Sequence, residues 1–199
     1  NTDSGDESES DDGEVKETSA QIIDELNRAY TYSTYYTTHK DDPRPDAEVI
    51  INGVDFIAQG DENEGYIDTI EGVEAYVWPG EVGYVEYPFT IEEEGIYNIE
   101  ITYYALASVS NDIELSFFID GESPYSTADR IVLSKCWVDE EDSYTIDENG
   151  VKTFNVDEND NQIRPSLTEY LTWQTSPLKD TDGLFNDPLI FNFTEGEHV

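Results

Sequence analysis

Three tryptophans, Trp78, Trp137 and Trp173, are the residues best suited to ligand chemistry in this 199-residue chain. An indole stacks on the apolar face of a pyranose ring, and polar groups beside it read the hydroxyls. Trp78 precedes Pro79-Gly80, a turn signal, and so belongs near an exposed loop. Trp173, in L-T-W-Q-T, is the second candidate platform. Trp137 lies in the apolar run I-V-L-S-K-C-W-V and is expected to be buried, because a strand tryptophan is more often core than platform. Tyr76, Tyr84 and Tyr144 offer further rings, and Asp139, Glu140 and Arg164 offer hydrogen bonds. Arg164 is equally suited to an internal ion pair with Glu169.

A second chemistry is cation binding. Asp157-Glu158-Asn159-Asp160-Asn161 resembles the opening of a calcium loop, in which Asp157, Asn159 and Asn161 would surround a hard cation with oxygen. Gln162 stands where the loop glycine belongs, and Thr168 where the bidentate glutamate belongs, so a solvated turn is the favoured reading. No cofactor is expected. A structural calcium held by backbone carbonyls elsewhere stays open. Nucleophilic triads fail for want of a motif around His39 or His198, and one cysteine with no paired histidines builds no zinc site. Carboxylate pairs for glycoside hydrolysis carry no weight, since 47 acids supply too many. The chain therefore reads as non-catalytic.

The elements that must position these residues have a clear period. Val85, Tyr87, Phe89 and Ile91 alternate with polar neighbours, as do Tyr97, Ile99, Ile101 and Tyr103, and then Ile113, Leu115, Phe117 and Ile119. Side chains on a strand point to opposite faces in turn, so these are half-buried antiparallel strands over one core. Asp120-Gly121 and Asn149-Gly150 mark tight hairpin turns. The expected fold is all-β: a two-sheet antiparallel sandwich over residues 47–199 with one N-terminal helix. Residues 1–17 read as a disordered acidic tether, and 18–46 as that helix with its connection. Thr18 with Gln21 forms a capping box ahead of the stripe Ile22, Ile23, Leu26, Ala29, Tyr30. The T-Y-S-T-Y-Y-T-T-H segment favours extended or irregular structure and should end the helix near Tyr32. T-E-G-E-H-V reads as a turn, with one further strand expected after it.

Net charge is −38, and the first twenty residues hold eight acids and one lysine, so acidity belongs to the folded part as well. Nucleic acid and anionic membrane surfaces demand a basic patch and are excluded as partners. An acidic face that keeps a secreted or salt-adapted protein soluble explains the charge equally well. No stretch is long and apolar enough to cross a bilayer. Cys136 is alone, forms no intrachain disulfide and is expected in the core.

The strings G-Y-V-E-Y-P-F-T-I-E-E-E-G-I-Y-N-I-E-I-T-Y-Y, F-F-I-D-G-E-S-P-Y and L-S-K-C-W-V-D, followed by D-G-L-F-N-D-P-L-I-F-N-F, resemble a jelly-roll domain of the galactose-binding-like type. More narrowly, the chain is similar to carbohydrate-binding-module-like domains of extracellular Gram-positive lipoproteins linked to ABC-type sugar uptake. The resemblance covers roughly residues 30–199. It implies a cell-surface location, a glycan ligand, and a lipid anchor upstream of Asn1 joined through the acidic tether. Two functions follow as expectations: a glycan-recognition or accessory module, and, alternatively, a spacer or protein-interaction domain without a small ligand. An exposed aromatic beside carboxylates separates the first from the second.

Overall fold

A computed structural model describes residues 31–60, 64–80, 82–107 and 112–199. The tether over 1–17 and the capped stripe over 18–30 lie outside the described residues. Within them the chain is an all-β sandwich of antiparallel ladders with one helix.

The first ladders form a small lobe. Strand β1 (Ala58–Gln59) pairs with β4 (Val85–Glu86), and β2 (Tyr66–Ile70) with β3 (Val73–Val77). Glu71 and Gly72, at φ 50° and 86°, supply the left-handed turn that joins β2 to β3.

The sandwich proper is a set of nested pairs. Strand β5 (Phe89–Ile91) pairs with β16 (Gly196–His198), β6 (Gly95–Asn98) with β15 (Ile190–Phe193), and β7 (Glu100–Tyr104) with β14 (Trp173–Pro177). Further in, β10 (Trp137–Asp139) pairs with β13 (Leu167–Glu169), and β11 (Tyr144–Ile146) with β12 (Lys152–Phe154). The hairpin of β8 (Ile113–Leu115) and β9 (Ile131–Leu133) completes the set. Pairing first with last and working inward doubles the chain back on itself as a long antiparallel ribbon. The residues read from sequence as a terminal turn are in fact strand β16. The partner of β6 and β7 is interrupted once: Leu189 N donates to Leu178 O at 2.8 Å, so residues 179–188 leave the sheet and return to the same place.

The predicted apolar stripes face the core from Phe89 onward, whereas Val85 pairs with Gln59 and Tyr87 donates to Gly53 O at 3.0 Å in the first lobe. Ile91 and Ile96 are buried, and Ile99, Ile101, Tyr103, Ile113, Leu115, Phe117 and Ile119 pack against the cluster that includes Tyr125, Ile131, Leu178 and Phe191. Cys136 is only half-buried, at the margin of the core.

The helix departs from expectation. Helix α1 spans Tyr32–His39, the very Tyr/Thr segment read as extended. Thr31 caps it by accepting Thr34 N at 3.3 Å, while Thr37 and Thr38 hydroxyls bond back to the Ser33 and Thr34 carbonyls. Those bonds satisfy side chains that elsewhere compete with a helix. Tyr32, Tyr35 and Tyr36 fall on one face at helical spacing and meet Tyr125 and Phe185 edge-on or tilted. Tertiary burial of three rings outweighs the modest β propensity of Tyr and Thr.

Candidate functional site

Trp137 is 48% exposed, which overturns its assignment to the core. The apolar run divides: Ile131 and Leu133 are buried in β9, whereas β10 beyond Lys135 joins a two-stranded ladder open to solvent. Val138 and Leu167 in that ladder are also exposed. A lysine inside the run and four acids after Val138 were the signals that the segment leaves the core.

Trp137 lies opposite Glu169, and Asp139 opposite Leu167, so these four side chains share one face of the ladder. Two ion pairs flank the indole there. Lys135, almost wholly buried, reaches Glu169 Oε1 at 3.1 Å. Lys152 holds Asp139 Oδ2 at 2.5 Å and stands 3.7 Å over the Tyr144 ring. The buried Lys135–Glu169 pair fixes the ladder beneath the indole, and the accessible Lys152–Asp139 pair is the one that can meet a hydroxyl beside the aromatic surface.

Arg164 sits beyond the end of the same ladder, where Glu140 N donates to Ser166 O at 2.9 Å. It lines a concavity of about 210 Å³ with Asp142, Ser143, Asn155, Ile163, Pro165 and Ser166. The alternative Arg164–Glu169 pair does not form, because Lys135 takes that carboxylate.

The remaining sequence candidates sit elsewhere and engage the protein itself. Trp78 is half-buried, and its indole N–H donates to Val82 O at 3.2 Å, closing the Pro79-Gly80 loop. Tyr76 donates to Gln59 Oε1 at 3.1 Å and meets Phe56 edge-on. Trp173 donates to Ile70 O at 3.3 Å and packs edge-on against Tyr104, so it fastens the β2–β3 hairpin to the sandwich.

The calcium-like loop is a self-satisfied turn. Asp157 Oδ1 accepts the amides of Asn159 and Asn161 at 2.8 and 2.9 Å, and its carboxylate also takes the Asn161 side-chain amide. These donors, the Asn161 side chain foremost, hold the Asp157 carboxyl below its usual range. N–H groups thus point at the carboxylate where a calcium ion would need oxygens, and Asp157, Asn159 and Asn161 do not fit a cation. Among the described residues no group of three or more His, Cys, Asp or Glu is placed to hold a metal. Among them, too, no helix is long and apolar enough to cross a membrane.

Both histidines have carboxylate partners. His39 Nδ1 lies 2.8 Å from Asp42, and His198 Nδ1 lies 2.8 Å from Asp120 with Nε2 2.9 Å from Thr194 O. Comparison with known proteins finds no matching family model, no matching curated protein and no matching solved structure.

Proposed function

We propose that this chain is a non-catalytic carbohydrate-recognition or accessory module of an extracellular bacterial surface lipoprotein, and that Trp137 is its stacking platform. The observation that supports the reading is a half-exposed indole set between the Lys135–Glu169 and Lys152–Asp139 pairs on one ladder face. The accessible Lys152–Asp139 pair keeps its geometry in the absence of ligand, so a sugar meets a donor and an acceptor already in place. The lipoprotein context, with its lipid anchor and its link to sugar uptake, rests on the sequence resemblance and shares the standing of this proposal. So does a structural calcium, for which the Asp157 loop is not the site.

The test is calorimetric titration with a panel of neutral plant and host oligosaccharides. The wild type is expected to bind at least one, and Trp137→Ala to lose that binding while keeping its fold. Silence of the wild type toward the whole panel would move the assignment to a spacer or protein-interaction domain. One observation favours that second reading: the polar groups of Trp78, Tyr76 and Trp173 are all engaged by the protein itself.

A further inference from the structure

Four of the cations among the described residues, Lys40, Arg130, Lys135 and Lys152, each hold a carboxylate. Arg164, like Arg44 and Lys179, holds none, and it is placed at the concavity. Its position is nevertheless fixed on both sides. Ile163 N donates to Asn155 O at 2.8 Å, and Ser166 N donates to Ser143 Oγ at 3.1 Å. Pro165 between them has its φ locked by its ring. The guanidinium is thus carried at the edge of the concavity by a segment pinned to the β11–β12 hairpin.

Donors dominate that concavity. Ser143 is buried and accepts a bond at its oxygen, which leaves its own proton to give. The Ser166 hydroxyl and the five N–H groups of Arg164 add to it, against the Asp142 carboxylate and the side-chain carbonyl of Asn155, whose amide nitrogen already donates to Asp142 O. At about 210 Å³ the space is below the roughly 300–1,000 Å³ of sites for drug-sized ligands and suits one sugar ring. A planar guanidinium matches a carboxylate with two parallel N–H···O bonds, a contact that a hydroxyl cannot reproduce.

We propose that this concavity is the subsite for a carboxylated sugar, a uronate ring carried by the glycan that stacks on Trp137. The inference rests on the reading of Trp137 as a platform and adds the charge of the ligand to it. The two places are joined by one ladder: Trp137 lies opposite Glu169, and Ser166 is three residues before Glu169, about 10 Å of extended chain. The odd spacing sends the Ser166 and Glu169 side chains to opposite faces of β13, so an oligosaccharide reaches both by passing over the end of the ladder at Ser166. The strongly acidic surface repels anions at long range, but that repulsion is screened beyond about 8 Å at physiological salt, whereas an uncompensated guanidinium acts at contact.

The experiment is calorimetric titration of the full chain with oligomers of galacturonate, glucuronate and mannuronate, each beside its carboxyl-reduced counterpart. The wild type is expected to prefer at least one uronate oligomer tenfold or more over its reduced form. Arg164→Gln, an exposed substitution whose melting curve should match the wild type, is expected to lose that preference. Equal affinities in the wild type, or a preference that survives Arg164→Gln, overturn the subsite and leave the Trp137 platform standing. A uronate preference that survives Trp137→Ala, with every reduced oligomer silent, keeps the subsite and overturns the platform. Silence toward all ligands overturns both.

Discussion

The hydroxyl of Tyr32 accepts the backbone amide of Ile190, 158 positions further along the chain, at 3.2 Å. Tyr35 accepts the amide of Asn192 at 2.7 Å, and Tyr125 donates its hydroxyl to the Ile190 carbonyl at 3.1 Å. These are the bonds that a neighbouring strand would make to the outer edge of β15. Helix α1 and Tyr125 make them instead, so an edge that would otherwise invite pairing with another chain is closed by phenols.

Tyr32→Phe keeps the ring and removes only the acceptor, which leaves the Ile190 N–H without a partner at a 2% exposed residue. A loss of about 1–3 kcal/mol in urea unfolding is expected, the cost of a buried donor left unmade. An unchanged midpoint would mean that water or a shift of β15 replaces the hydroxyl.

Trp137→Ala and Phe191→Ala should separate surface from core. Phe191 is fully buried, so its truncation should cost about 3–5 kcal/mol. Trp137 is half in solvent, so its loss should cost less than about 1 kcal/mol. Equal costs in guanidinium unfolding would show that the indole holds the β10–β13 ladder together.

Gly95 has φ 148°, and a Cβ there would lie 2.5 Å from Pro43 O and 2.7 Å from Pro45 Cδ. Both neighbours are rigid, and Pro43 O also accepts the Ile96 amide at 2.8 Å. Gly95→Ala is therefore expected to cost about 3 kcal/mol, from overpacking and from a backbone region closed to L residues. Thermal melting of this variant beside Gly121→Ala, which meets nothing within 4 Å, isolates the contribution of the collision.

The His198–Asp120 contact sets a pH dependence. A carbonyl and a carboxylate only accept, so both ring nitrogens of His198 are placed to carry hydrogen. Burial alone would draw the imidazole down, but the Thr194 carbonyl and Asp120 together raise it above its ordinary value. Burial likewise pushes Asp120 up, and its bonds from His198 and the Val199 amide outweigh that and hold it low. The raised histidine gives stability that is complete below about pH 6.5 and is lost as pH rises through its folded value. The depressed aspartate gives stability that is complete above about pH 4 and is lost as pH falls through its own. The difference in stability between wild type and His198→Gln should be largest between those limits and should shrink toward pH 8. A difference that stays constant from pH 5 to 8 would refute the assignment.

The stripes through Ile91, Ile99, Ile101, Leu115 and Phe117 were legible in the sequence because period two depends only on neighbours along the chain. The pairing of β6 with β15 was not, since its register joins residues more than ninety positions apart with no turn between them to fix it. Asp120-Gly121, at φ 53° and 83°, was readable for the opposite reason: a tight turn is written in its own two residues. Helix α1 was hidden because Tyr and Thr carry a weak β preference that only contacts with Tyr125 and Phe185 reverse. Asp139 and Arg164 were candidates on residue type alone, which says nothing of where a side chain lies. Trp137 was misplaced because an apolar run was taken as one buried strand, although Lys135 marks where it leaves the core.

The nested ladders also govern the order in which this protein can be made. A ribosome delivers β5, β6 and β7 long before β14, β15 and β16, and each waits for a partner that emerges some seventy to a hundred and ten residues later. Only hairpins such as β2–β3, β8–β9 and β11–β12 can close as they appear. High contact order of this kind makes folding slow and leaves apolar strands exposed in the interval. The dense negative charge that surrounds those strands then acts as a solubilising escort for the nascent chain, keeping like from meeting like until residues 173–198 arrive to finish the wrap.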